Sequence, residues 1–131
     1  MAMTEMNYGE SGQPSGERIW ANPNSPTSAW GSTQASATQT LSKGLSNYSE
    51  IQLRYRVSTS DATEMYVKVD PTTIGSSNTR FLFGGNDPGI GVMARFFTWV
   101  SDTSFTISIT NQLNGTRTDD TAFIPLEIIG Y

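Results

Sequence analysis

The chain has 131 residues, which the usual size range assigns to one domain. It carries a net charge of −4 and has neither cysteine nor histidine, so disulfides, thiol catalysis and histidine acid–base work are excluded. No lysine or arginine run is present to neutralise phosphates, which argues against nucleic acid and anionic membranes as partners.

Ser and Thr together make up roughly a quarter of the chain, above ordinary usage. Thr suits a pleated surface, and Ser, Gly and Asn supply turns. Residues 1–17 hold Gly9, Gly12, Pro14 and Gly16 among polar neighbours. Such a composition buries too little surface to offset ordering entropy, so a flexible arm is expected ahead of a domain over 18–131. The arm has no apolar core of a secretory signal, and no stretch reaches transmembrane length.

Glu17 to Trp20 reads as a short strand, and Ala21 to Pro26 as a turn-rich loop. Trp30 stands in a polar context, either packed or displayed. Thr38 to Ser42 is a weak strand. Ile51, Leu53, Tyr55 and Val57 alternate with Gln52, Arg54 and Arg56, the period of a half-buried strand. Met65, Val67 and Val69 alternate with Tyr66 and Lys68. Arg80 to Phe83 is a further strand, which Gly84 to Gly89 closes as a turn. Val92 to Val100 follows, with Phe97 and Trp99 on one face and Ala94 and Phe96 on the other. Phe105, Ile107 and Ile109 form the next.

Asn114-Gly115 is a strong hairpin signal, since both central positions of a type I′ turn require positive φ. A two-residue loop there pairs Leu113 with Thr116, Ile107 with Ala122 and Phe105 with Ile124. The apolar faces of Phe105, Ile107 and Ile109 then join those of Ile124, Leu126 and Ile128. Pro125 cannot donate to a ladder, which places it at an edge or bulge. The expectation is an all-β, antiparallel, jelly-roll-like sandwich of about eight strands, without a helix.

Candidate chemistry is sparse. The Gly-rich segment lacks the ending of a phosphate loop. Asp61, Glu64, Asp87, Asp102, Asp119 and Asp120 show no calcium-loop spacing and read as turn-forming acids. Two carboxylates in space would suit glycoside hydrolysis, yet nothing in the order of residues selects a pair. No catalytic residue, metal ligand or cofactor is assigned. Trp99, with Arg95, Asp102 and Asn111 as hydroxyl-bonding neighbours, is the candidate glycan contact.

Ile19-Trp20-Ala21-Asn22-Pro23-Asn24-Ser25-Pro26-Thr27-Ser28-Ala29-Trp30 resembles the opening of a β-rich domain in tailed-phage and prophage virion structural proteins. Thr40-Leu41-Ser42, Tyr48, Ile51-Gln52-Leu53 and the closing Ile124-Pro125-Leu126-Glu127-Ile128-Ile129-Gly130 continue the pattern. Ala21 departs from a frequent acid, and Trp30 from Phe. The resemblance covers roughly residues 18–131. It implies a non-enzymatic decoration, head-fibre or tail accessory protein of the virion, a homotrimer docked to capsid or tail proteins. With no shaft ahead of the domain, a free-standing accessory protein is expected. Attachment is expected through the arm, with Met6, Tyr8 and Ile19 as contacts, and host-surface glycans are possible ligands. A carbohydrate-binding module and a glycan hydrolase are the alternatives.

Overall fold

The computed structural model describes residues 16–69, 80–87 and 89–131, with only the backbone of Arg80. Met6, Tyr8 and most of the arm lie outside the described residues. Nine strands are present among them: β1 (Glu17–Ala21), β2 (Gln39–Thr40), β3 (Ile51–Ser58), β4 (Glu64–Val69), β5 (Arg80–Asp87), β6 (Gly91–Ser101), β7 (Ser104–Ile107), β8 (Asn111–Gln112) and β9 (Ala122–Gly130). One short helix, α1 (Ser32–Ala35), and a 3-10 turn over Leu45–Asn47 join them, where no helix was expected.

The strands form two antiparallel sheets. Sheet A has the order β1-β9-β3-β4, and sheet B the order β2-β7-β6-β5 with β8 beside β6. The two pack as an all-β sandwich. Pairing β1 with β9 and β2 with β7 nests late strands against early ones, while β3–β4 and β5–β6 are simple hairpins. Glu17, assigned above to the arm, is the first residue of β1.

Alternation puts Ile51, Leu53 and Tyr55 of β3 inside, against Met93, Phe97 and Trp99 of β6 and Phe105 and Ile107 of β7. Phe105 stacks on Phe97 at 4.8 Å and meets Trp20 edge-on at 5.1 Å, so the aromatic rings bridge the sheets. Trp30 is internal; its indole N–H donates to the Ile107 carbonyl at 3.0 Å.

Two expectations are corrected and one holds. The Asn114-Gly115 hairpin does not join β7 to β9. These strands lie in opposite sheets, and their apolar faces meet across the core instead of side by side. The segment closes a local four-residue loop, with Gln112 N–H donating to the Arg117 carbonyl at 2.8 Å, and neither Asn114 nor Gly115 has positive φ. Gly84 and Gly85 extend β5 and pair with Ala94 and Met93, so the turn begins only after Asp87. Pro125 does sit at a bulge: the β3–β9 register shifts between Arg54 and Tyr55, which leaves Leu126 without a partner on β3.

Candidate functional site

The residues singled out for glycan contact are not brought together. Trp99 is 3% exposed and Arg95 is 0% exposed, so neither reaches a ligand. Their parity on β6 explains this: Met93, Arg95, Phe97 and Trp99 all point inward. Asn111 pairs with Ala94 midway along β6, while Asp102 lies in the turn beyond Ser101. Asp102 is occupied in accepting from the Ser46 backbone N–H at 2.9 Å and from its hydroxyl at 3.3 Å. Ile19, expected on the docking arm, is 1% exposed and belongs to the core.

Arg95 has a structural task. Its guanidinium makes six hydrogen bonds to five backbone carbonyls, those of Trp30, Ser108, Asp120, Ala122 and Phe123, at 2.9–3.2 Å. Phe123 has φ +53°, and among the described residues no other non-glycine has positive φ. That conformation breaks the strand alternation, so the adjacent Ala122 and Phe123 carbonyls both face Arg95. Burial lowers the guanidinium to about 10, opposed by the Asp120 and Asp119 carboxylates. It therefore stays charged at neutral pH.

Two groupings face solvent. The first is a cleft of about 370 Å³ at one end of the sandwich, between the β3–β4, β5–β6 and β8–β9 loops. Asp61, Asp87, Asp119, Ser58 and Thr121 line it. Asp87 and Asp119 share a hydrogen bond; this bond, with lost solvent, holds the Asp87 carboxyl above the usual range. Asp119 is held below it, chiefly by the Thr121 hydroxyl donating at 2.6 Å. A bound proton therefore belongs to Asp87. Carboxyl oxygens sharing a proton lie roughly 2.5–2.7 Å apart. Among the described residues no group of three or more acids, cysteines or histidines is placed to hold a metal ion.

The second grouping is the outer face of sheet A. Register places Arg54 between Tyr66 and Glu127, and Gln52 between Lys68 and Ile129. Glu127 lies 3.8 Å from both Arg18 and Arg54, and Lys68 lies 3.5 Å from Glu50. Tyr66 stands out from this charged field at 63% exposure. Period-two alternation made these residues outward-facing in the sequence. What it did not supply was the strand order that sets them side by side.

Neither models of protein families nor curated protein sequences give a match to this chain.

Proposed function

We propose that the chain is a non-enzymatic bacteriophage virion protein, a surface decoration or fibre/tail accessory protein that docks through its N-terminal arm and associates as a homotrimer. The observation that carries the reading is where the residues of the resemblance fall. Ile19, Trp20, Trp30, Leu41, Ile51, Leu53 and Ile128 are core residues, and Tyr48 lies against Gly130. The apolar positions of the pattern are framework positions while residues 21–29 lie at the surface or half-buried, and such framework positions suit a shared fold in a family whose role is assembly. Mass spectrometry of gradient-purified particles tests it. The protein is expected at a fixed stoichiometry with the capsid or tail, and its absence from particles overturns the reading. A variant lacking residues 1–15 keeps β1 whole, so it is expected to fold yet fail to enter particles.

Tyr66 favours a second reading, glycan binding. Its ring is exposed, and Arg54, Gln52 and Lys68 around it supply hydrogen-bond donors. On a glycan array, binding that disappears with Tyr66→Ala supports this use of the face. An array with no bound glycan removes it.

A further inference from the structure

Asn114-Gly115 does not turn β7 into β9, and it sits instead in the loop that follows β8. Residues 113–118 of that loop are all exposed. None of them belongs to the core, so the loop can change shape without loosening the sandwich. An asparagine ahead of a glycine can react within the chain. The backbone nitrogen of the next residue attacks the side-chain amide carbon and closes a five-membered ring. Glycine presents no Cβ to block the approach and tolerates the backbone conformation that the ring demands.

The structure separates Asn114 from the other asparagines it describes. Asn22 precedes Pro23, which has no N–H to lose. Asn47 donates to the Gly44 carbonyl at 2.9 Å, and the next N–H, of Tyr48, is bonded to the Leu45 carbonyl at 3.1 Å. Asn111 donates to the Ile109 carbonyl at 3.2 Å, and the Gln112 N–H to the Arg117 carbonyl at 2.8 Å. Asn86 is held in the β5 ladder opposite Val92. Asn24 is exposed but precedes Ser25, whose Cβ hinders the approach. At Asn114 neither the side-chain amide nor the Gly115 N–H has a hydrogen-bond partner among the described residues.

We propose that Asn114 is a site of self-modification, converted to aspartate and isoaspartate through a cyclic imide with Gly115. The proposal does not depend on the virion reading. The Gly115 nitrogen gives its proton to solvent and forms a bond to Asn114 Cγ. The Cγ–Nδ2 bond breaks, and its electron pair leaves on nitrogen, which takes up a proton and departs as ammonia. Water then opens the ring. Cleavage of the bond from the ring nitrogen to Cγ gives aspartate. Cleavage of its bond to the backbone carbonyl carbon of residue 114 gives isoaspartate. The sum consumes one water and releases one ammonia. Either product adds a negative charge to a net charge of −4. Isoaspartate also adds a carbon to the main chain inside the loop that Gln112 and Arg117 close.

Ageing the full chain at mildly alkaline pH, with peptide mass mapping at intervals, tests the proposal. A parallel sample unfolded in guanidinium gives the rate without the fold. In the folded chain Asn114 is expected to convert ahead of every other described asparagine. Its rate should lie within about tenfold of the unfolded rate, a barrier difference of no more than ~1.4 kcal/mol. Both products are expected, and the isoaspartate should accept a methyl group from an isoaspartyl methyltransferase. Asn114→Gln, whose longer side chain would have to close a six-membered ring, is expected to lose the methyl acceptance and to keep the wild-type thermal midpoint. An Asn114 that persists in the folded chain while converting in guanidinium overturns the proposal, because the fold then protects it. Earlier conversion of another described asparagine overturns the selection of this site. Aspartate without isoaspartate overturns the cyclic route, since direct hydrolysis of the amide gives that product alone.

Discussion

Arg95 is the residue on which the ends of three segments converge. Its five carbonyl partners come from the Trp30 loop, the exit of β7 and the entry of β9. Its hydrogen-bond partners are backbone carbonyls, so backbone dipoles compensate its desolvation together with the charges of Asp120 and Asp119. Hydrogen bonds to a charged donor are the stronger kind, at roughly 1.5–3 kcal/mol each before the cost of burial. Arg95→Met fills the same space but takes a charged donor from five carbonyls, of which Asp120 keeps the Trp30 N–H and Ala122 the Thr110 hydroxyl, and the expected loss is about 3–5 kcal/mol. Arg95→Lys rescues little, since three donors on one ammonium cannot span five acceptors. Urea unfolding midpoints measure both, and a methionine variant as stable as wild type would refute the role. The alternation of β6 already pointed at this site: Arg95 shares parity with Phe97 and Trp99. An arginine on an apolar strand face signals a satisfied core cation, and only the fold shows which carbonyls satisfy it.

Strands β3 and β4 were legible because their alternation is strict, β6 and β9 because they are long apolar runs, and the bulge at Pro125 because a missing N–H has few places to go. That β7 and β9 fall in opposite sheets was not legible, for a reason inherent in sandwiches. Two strands whose apolar faces agree satisfy alternation equally well as ladder neighbours or as opposed members of two sheets. The candidate cleft was illegible for a related reason, since Asp87 and Asp119 meet only through the fold. Gly115→Val, which a type I′ turn would not tolerate, is therefore a mild change. Its Cβ meets only the side-chain amide of Gln112, and displacing that amide disturbs its bonds to Ile90 and Arg117, worth about 1 kcal/mol. Gly130 is the demanding glycine of β9. A Cβ there would lie 2.6 Å from the ring of Tyr48, whose hydroxyl donates to Glu17 at 2.7 Å. Lost solvent, then the bond to Glu17, raises Tyr48 to about 12. This native value lies above the unfolded one, so the contribution is present below pH 10 and fades between 10 and 12. Gly130→Val displaces the ring, and an ultraviolet titration should then show the Tyr48 phenol back near 10. A phenol still at about 12 would mean that the ring does not rest on Gly130.

Across the whole molecule, acid acts on the two ends of the sandwich separately. Glu17, bonded by Tyr48 at one end, and Asp61 and Asp119 at the other are all held below their ordinary values. Their contributions are present above the ordinary carboxylate range and are lost as pH falls through the lowered values. Asp87 has the opposite sign: its raised value stabilises the fold in acid, and the contribution is lost as pH rises through that value. Asp87→Asn keeps a donor toward Asp119 without a charge. It should raise the thermal midpoint at pH 7 and leave it unchanged near pH 3. The reverse pattern would show that the two carboxyls do not share a proton. What unites the ends is β9, which lies inside sheet A with β1 on one side and β3 on the other. Its Ile124 and Ile128 are fully buried, in contact with a core built from both sheets. Deleting residues 124–131 removes both, and each aliphatic contributes about 1.5–3 kcal/mol by burial. It also strips β1 and β3 of the ladder between them. Small domains hold only about 5–15 kcal/mol in total. The shortened chain is expected to be insoluble, or to show no cooperative thermal transition by circular dichroism. An unchanged transition would mean that the domain closes without β9, which a strand paired on both sides does not permit.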